Sequence, residues 1–309
     1  MHAGNSEFQK TVSEKLTEIF KMGKTEKKQF SYVGYDVEQN EEGIKISQQA
    51  YADNLEVFNV CPTRSLNQDD DLTEEEKSLL RKCAGQIGWL ARETRPDLTF
   101  AQVEMSTKFV KGKVRDLIQA SKVMRRVKKS ESKLMIRGLG PVRDWYVEVS
   151  TDASLSNLND GVHSTAAYVV LIRNAGKECA PITWRSGKIK RIMDSTLECE
   201  CLSLVDGLKQ AVYVREVIEE IYKLDEKSIP VRAIVDNKST VDAVHSTAPV
   251  EDKKLRRDVS IIKQMLNRNE VASVSWCPGK EQLADPMTKR TAPAFRLMSV
   301  FQSGRRGSV

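Results

Sequence analysis

The stretch Tyr146-Val-Glu-Val-Ser-Thr-Asp152 alternates apolar and polar residues and ends on a carboxylate. Alternation with a period of two is the mark of a half-buried strand. A second run, Val231-Arg-Ala-Ile-Val-Asp236, ends the same way. Working outward, strand candidates lie at 166–172, 181–185 and 271–276. A long helix is expected over 198–222, with Leu204, Val205, Leu208, Val212, Val217, Ile218 and Ile221 on its apolar side. Shorter helices are expected at 240–244 and 255–266. The order βββαβααβα predicts an α/β domain with a mixed five-stranded sheet whose first three strands form an antiparallel meander.

Four acids fall at element ends in this order. Asp152 closes the first strand, Glu200 stands at the start of the long helix, Asp236 closes the fourth strand, and Asp285 opens Ala-Asp-Pro-Met-Thr-Lys. One acid at such a place is commonly a cap or a turn residue. Together, if they converge, they form the oxygen ligand set of a hard divalent cation. Two carboxylates ~5 Å apart at an effective dielectric near 20 repel by about 3 kcal/mol, so a fold that gathers them calls for a cation. Glu198 remains open as the alternative to Glu200.

Composition sets the wider limits. The chain has 309 residues, enough for two domains, and 49 basic residues nearly match 43 acidic ones. A net charge of +6 permits nucleic-acid binding without demanding it. The densest basic cluster is 122–133, readable as a solvated helix face or as a track for phosphates. Six cysteines without a Cys-x-x-Cys pair, and three histidines, argue against structural zinc. No membrane span and no signal peptide are legible, so the expectation is an intracellular protein.

Upstream of the sheet region, 8–20 reads as a helix, 30–37 and 44–47 as strands, and 48–58 as a helix ended by Pro62. This unit is expected to lack a partner strand. Thr73 and Glu76 make a capping box, followed by helices over 79–94, 96–111 and 115–129. The tail after Thr291 is expected to be loose.

Several short motifs, in order, resemble copia-type retrotransposon Pol polyproteins, from the end of reverse transcriptase through the RNase H domain. Those of the C-terminal half are Ser150-Thr-Asp-Ala, His163-Ser-Thr-Ala-Ala-Tyr168, Ile182-Thr-Trp-Arg-Ser186, Ser195-Thr-Leu-Glu-Cys-Glu-Cys201, Asp236-Asn-Lys-Ser239 and Gln282-Leu-Ala-Asp-Pro-Met-Thr-Lys289. Those of the N-terminal half are His2-Ala-Gly-Asn, Phe30-Ser-Tyr-Val-Gly34, Ile46-Ser-Gln-Gln-Ala-Tyr51 and Gly88-Trp-Leu-Ala-Arg-Glu-Thr-Arg-Pro-Asp97. The resemblance implies a palm remnant over 1–62, a thumb- or connection-like helical region over 63–138 and an RNase H-like domain over 139–290, with the loose tail at 291–309.

The activity it implies is hydrolysis of the RNA strand of RNA–DNA hybrids, with two Mg2+ ions, or Mn2+ in their place, held by Asp152, Glu200, Asp236 and Asp285. Polymerase activity is not expected, because no Tyr-x-Asp-Asp motif occurs in the chain. Asn237 and Ser239, with Arg125, Arg126, Lys128 and Lys129, are candidates for contacts to nucleic acid, although Asn237 and Ser239 can equally close a turn. Trp184 and Trp276 are expected in the core. An integrase-like triad of Asp152, Asp236 and Glu270 is disfavoured, because Glu270 precedes a strand where that chemistry needs a helix. Implied partners are the hybrid and other reverse transcriptase or integrase parts, with no membrane, in a cytoplasmic particle or the nucleus. The rival expectation is a non-catalytic relic that binds nucleic acid or a partner. Departures from the family pattern are Leu155, Ile189 and the stretch 253–258, which lacks the usual histidine.

Overall fold

A computed structural model describes residues 6–22, 26–158 and 161–307; the motif at 2–5 lies outside them. Helix α1 (Ser6–Ile19) is followed by β1 (Gln29–Tyr32), β2 (Tyr35–Asn40) and β3 (Gly43–Ser47). The single strand expected over 30–37 is therefore a hairpin. Val33 and Gly34 take positive φ values of 48° and 81°, which reverses the chain between Tyr32 and Tyr35.

Next come α2 (Gln49–Asp53), α3 (Pro62–Leu66), α4 (Glu74–Glu93), α5 (Thr99–Thr107), α6 (Val114–Lys128) and β4 (Lys133–Arg137). The helix expected over 48–58 stops at Asp53, because the following carbonyls are taken up by α6 instead. Leu55 O accepts from Lys128 Nζ at 3.0 Å and Phe58 O from Ser121 Oγ at 2.5 Å. The capping box forms as expected: Thr73 Oγ1 accepts from Glu76 N, and Glu76 Oε2 from Thr73 N. Leu80, Ala84, Ile87, Leu117, Val123 and Met124 make the bundle core.

Two expectations for this half are overturned. The N-terminal strands do have a partner, because β4 pairs antiparallel with β3 (Ile44 with Ile136, Ile46 with Leu134) to complete a four-stranded sheet. Residues 133–137, assigned to a helical region, are thus a strand. The motif 88–97 ties the bundle to this sheet: buried Arg95 grips Asp97 with two bonds of 2.8 Å, and Thr94 Oγ1 donates to Gln48 Oε1 at 2.8 Å.

The second half contains β5 (Tyr146–Ser154), β6 (Thr165–Arg173), β7 (Cys179–Lys188), α7 (Thr196–Tyr222), β8 (Val231–Val235), α8 (Lys238–His245), α9 (Lys253–Asn267), β9 (Ser273–Trp276) and α10 (Phe295–Ser303). The sheet order is β7-β6-β5-β8-β9, with β5–β8 and β8–β9 parallel and the others antiparallel. This is the mixed five-stranded sheet that the sequence order predicted.

Both faces of the sheet are buried. Val147, Val149, Val170 and Ile172 pack against α7 and α9. Ala167, Val169 and Leu171 face the other way, onto Leu297, Val300 and Phe301 of α10. The tail is consequently not loose. An apolar second face on β6 needs a cover, and α10 supplies it. Beyond α10, the Arg306 side chain is wholly buried. Among the described residues no helix is long and apolar enough to cross a membrane.

Candidate metal centre

The site forms where parallel strands end side by side. Ser150 of β5 lies opposite Ile234 of β8, so the chain reaches Asp152 and Asp236 at neighbouring strand ends. Helix α7 packs across β5 at close range. A Cβ on Gly207 would lie 2.5 Å from Thr151 Cγ2, so glycine is what lets the helix approach. Ser203 Oγ donates to Asp152 O at 2.9 Å. One turn nearer the helix start, Glu200 then projects toward the two aspartates.

The fourth acid arrives by a different route from the one expected. Asp285 opens a single 3-10 turn, Asp285–Met287, rather than a full helix. Pro286 follows it, and the turn's carbonyls are taken by the sheet. Met287 O accepts from Ser186 Oγ at 2.6 Å, and Thr288 O from Asn157 Nδ2 at 2.6 Å and Thr165 Oγ1 at 3.1 Å. Just before the turn, buried Gln282 donates to Thr151 O at 2.9 Å and reaches Ile234 O at 3.5 Å, bridging β5 and β8 below the carboxylates.

Asp152, Asp236 and Asp285 each offer a carboxylate oxygen within 4.8 Å of the others. With Glu200, Asn237, Thr196 and Lys289, the first two line an open depression of about 540 Å³. Burial pushes the Asp152 carboxyl up to about 7, with Asp236 and Asp285 adding repulsion against the pull of Lys289 and Thr288. Burial first, then Asp152 and Asp236, push Glu200 up to about 9. Asp236 is also raised, chiefly by burial. Glu200 Oε2 is buried without a hydrogen-bond partner. Crowded carboxylates, one with an orphaned oxygen, are the donor set that Mg2+ or Mn2+ takes, and the residues present fit such an ion.

Glu198 has another task. Its Oε2 accepts from Asp194 N at 2.9 Å and its Oε1 lies 3.5 Å from Arg191, so it ties the start of α7, capped by Ser195, to the preceding loop. Asn237 caps α8, accepting from Thr240 N at 3.1 Å, and Ser239 is exposed on that helix. Arg125 and Lys128 bond the 55–59 segment, through Phe58 O at 3.2 Å and Leu55 O at 3.0 Å. Lys129 is exposed. Arg126 lines a cavity of about 290 Å³ whose wall also includes Lys108, Lys289 and Arg290 together with Asp97, Glu104 and Asp116. Trp184, expected in the core, is half-buried against it, donating to Ala91 O at 2.7 Å. Trp276 is not in the core: it is 43% exposed, under the Lys238 ammonium, and donates to Asp236 O at 2.9 Å.

Two residues of the site were missed as site residues. Thr288 Oγ1 donates to Asp152 Oδ2, and Lys289 Nζ contacts Asp285 Oδ1 and lies 3.5 Å from Asp152 Oδ1. Both stood in the motif 282–289, and the i, i+4 spacing of Asp285 and Lys289 was the available signal.

No protein-family model and no curated protein matches the chain. Among solved structures it is similar to the N-terminal RNase H domain of a Mycobacterium tuberculosis protein, solved as a fusion with maltose-binding protein (14% identity, 46% of this chain and 93% of that one, TM-score 0.33). RNase H1 of the halophilic archaeon Halobacterium salinarum is 14% identical over 47% of this chain and 92% of that one, with a TM-score of 0.30. LC11-RNase H1 in complex with an RNA/DNA hybrid is 15% identical over 44% and 88%, with a TM-score of 0.31. The second half is an α/β fold with the mixed sheet order β7-β6-β5-β8-β9 and α7 laid across β5.

Proposed function

We propose that the chain is a divalent-cation-dependent nuclease that hydrolyses the RNA strand of RNA–DNA hybrids, and that it is related to the C-terminal part of copia-type Pol polyproteins. The observation that carries this reading is the close approach of Asp152, Asp236 and Asp285 beside an open depression that Asp152 and Asp236 share with Glu200, whose Oε2 is left unpartnered. In this reading β1–β3 are the palm remnant and α4–α6 the thumb- or connection-like part.

Asp152, Asp236 and Asp285, with Glu200 beside the first two, would hold the cation. Bound there, Mg2+ or Mn2+ supplies a polarised phosphate oxygen and a water acidic enough to attack at neutral pH. Thr288 holds the Asp152 carboxylate in its rotamer, and Gln282 keeps β5 and β8 in register beneath it. The open mouth suits a sugar–phosphate backbone lying across strand ends. Arg126 and Lys108, on the cavity that runs on from Lys289, favour the path of phosphates toward α6. Other reverse transcriptase or integrase parts are proposed partners.

The test uses a labelled RNA–DNA hybrid with Mg2+ or EDTA, for the native chain and for Asp152→Asn and Asp236→Asn. Cleavage that needs Mg2+ and vanishes in both variants supports the reading. Hybrid binding without cleavage in Mg2+ or Mn2+ sinks it. That outcome would favour a binding module, a reading to which Lys289 lends weight because its ammonium already offsets two of the carboxylates.

A further inference from the structure

Helix α10 and the chain after it are built around the segment that carries Asp285. Leu283, Ala284 and Met287, which flank that aspartate, are buried in one cluster with Leu297, Val300 and Phe301 of α10. Glu281 forms an ion pair with Arg296 in the first turn of α10. Past the helix, the chain runs beside residues 177–179: Cys179 N donates to Gly304 O at 2.9 Å, and Arg306 N to Lys177 O at 2.7 Å.

This course carries the Arg306 side chain into the interior, next to β5. Side chains two apart on a strand share a face, so Glu148, Ser150 and Asp152 point the same way. Arg306 Nη1 pairs with Glu148 Oε1 at 2.6 Å and donates to Ser150 Oγ at 3.0 Å, while Nη2 reaches Glu281 O at 3.5 Å. One wholly buried guanidinium thus links the strand that carries Asp152 to the head of the segment that carries Asp285. Bonds from Asn157, Thr165 and Ser186 hold the other end of that segment, at Met287 and Thr288. Asp285 stands between the two anchors.

We propose that Arg306 is a positioning residue of the cation site: by tying Glu281 to β5, it fixes where Asp285 stands relative to Asp152. A carboxylate that drifts from its partners binds a hard cation less tightly, because Mg2+ demands near-ideal ligand geometry. The inference rests on the reading of these carboxylates as cation ligands. It does not require that the chain cleave a hybrid.

The experiment measures Mn2+ affinity of the full chain without nucleic acid, by loss of the free-ion paramagnetic resonance signal, with circular dichroism to check folding. Arg306→Met and Arg306→Lys are each compared with the native chain and then combined with Asp285→Asn. A lysine keeps a charge opposite Glu148 but lacks the fork that reaches Ser150 and Glu281 together. Thr73→Ala, which weakens the cap on α4 in the helical bundle, is the control for lost stability.

Both Arg306 variants are expected to weaken Mn2+ binding by roughly 10-fold, the lower end of what loss of a support behind a ligand costs. Neither adds to the loss in the Asp285→Asn background, and Thr73→Ala changes nothing. If Asp285→Asn binds no Mn2+, the comparison with the native chain decides alone. Unchanged affinity in the Arg306 variants, a comparable loss in the Asp285→Asn background or in Thr73→Ala, or unfolding of both Arg306 variants overturns the inference. Absence of hybrid cleavage sinks the nuclease reading and not this one, whereas a native chain that binds no Mn2+ sinks both.

Discussion

Arg306, three residues past α10, pairs with Glu148 of β5 at 2.6 Å with the guanidinium wholly buried. Arg173 of β6 holds the other oxygen of the same carboxylate at 2.7 Å and also donates to Arg306 O at 2.9 Å. Two guanidinium groups thus share one buried carboxylate, four residues before Asp152 on the same strand.

Glu148→Gln is expected to destabilise the fold by about 3–5 kcal/mol, because both guanidinium groups lose their buried counter-charge. Arg306→Met is expected to cost less, about 1–3 kcal/mol, since Arg173 still pairs with Glu148. Urea or thermal denaturation of the two variants measures the order. Equal or reversed costs would contradict the sharing of one carboxylate.

The carboxylate cluster is expected to make the metal-free protein lose stability as pH rises. Asp152 and Glu200 have folded-state values raised to about 7 and about 9, above the ordinary range near 4. Their contribution is complete below about pH 4 and fades as pH climbs through 7 and then 9. The thermal midpoint in EDTA should fall between pH 5 and 9. Asp152→Asn should flatten the lower part of that fall and gain roughly 1–3 kcal/mol at pH 8. Saturating Mg2+ should restore the native chain but not the variant.

Glu198 and Glu200 are expected to separate cleanly. Glu200→Gln should abolish the Mg2+-induced thermal shift and any hybrid cleavage. Glu198→Gln should keep both and lose about 0.5–2 kcal/mol of stability through the weakened hold on Asp194 N and Arg191. Differential scanning calorimetry with and without Mg2+ reads the difference.

Gly207→Ala is expected to cost about 1–3 kcal/mol, because its Cβ would meet Thr151 Cγ2 at 2.5 Å and Val149 Cγ2 at 3.1 Å. Lifting α7 also moves Glu200 from Asp152, so Mg2+ affinity should drop with stability. Thr151→Ser removes the offending methyl and should recover part of both losses. An additive double variant would argue against the contact.

What the chain determined by itself is local. Period-two runs marked β5 and β8, the 3.6-residue stripe marked α7, and Thr73 with Glu76 marked the start of α4, because each depends on neighbours within a turn or two. Asp152 and Asp236 stood out for the same reason: each falls at or near the end of a strand that announces itself.

The tertiary structure decided what depends on distant segments. Residues 133–137 become a strand only because β3, some ninety residues earlier, offers unpaired backbone. Leu297, Val300 and Phe301 become a core helix only because β6 presents a second apolar face. The choice between Glu198 and Glu200 is one of helix phase against a sheet, and no spacing rule states it. Lys289 enters the cluster because Asn157, Thr165 and Ser186 hold the carbonyls of its turn, and hydrogen bonds between residues more than a hundred positions apart leave no period in a sequence.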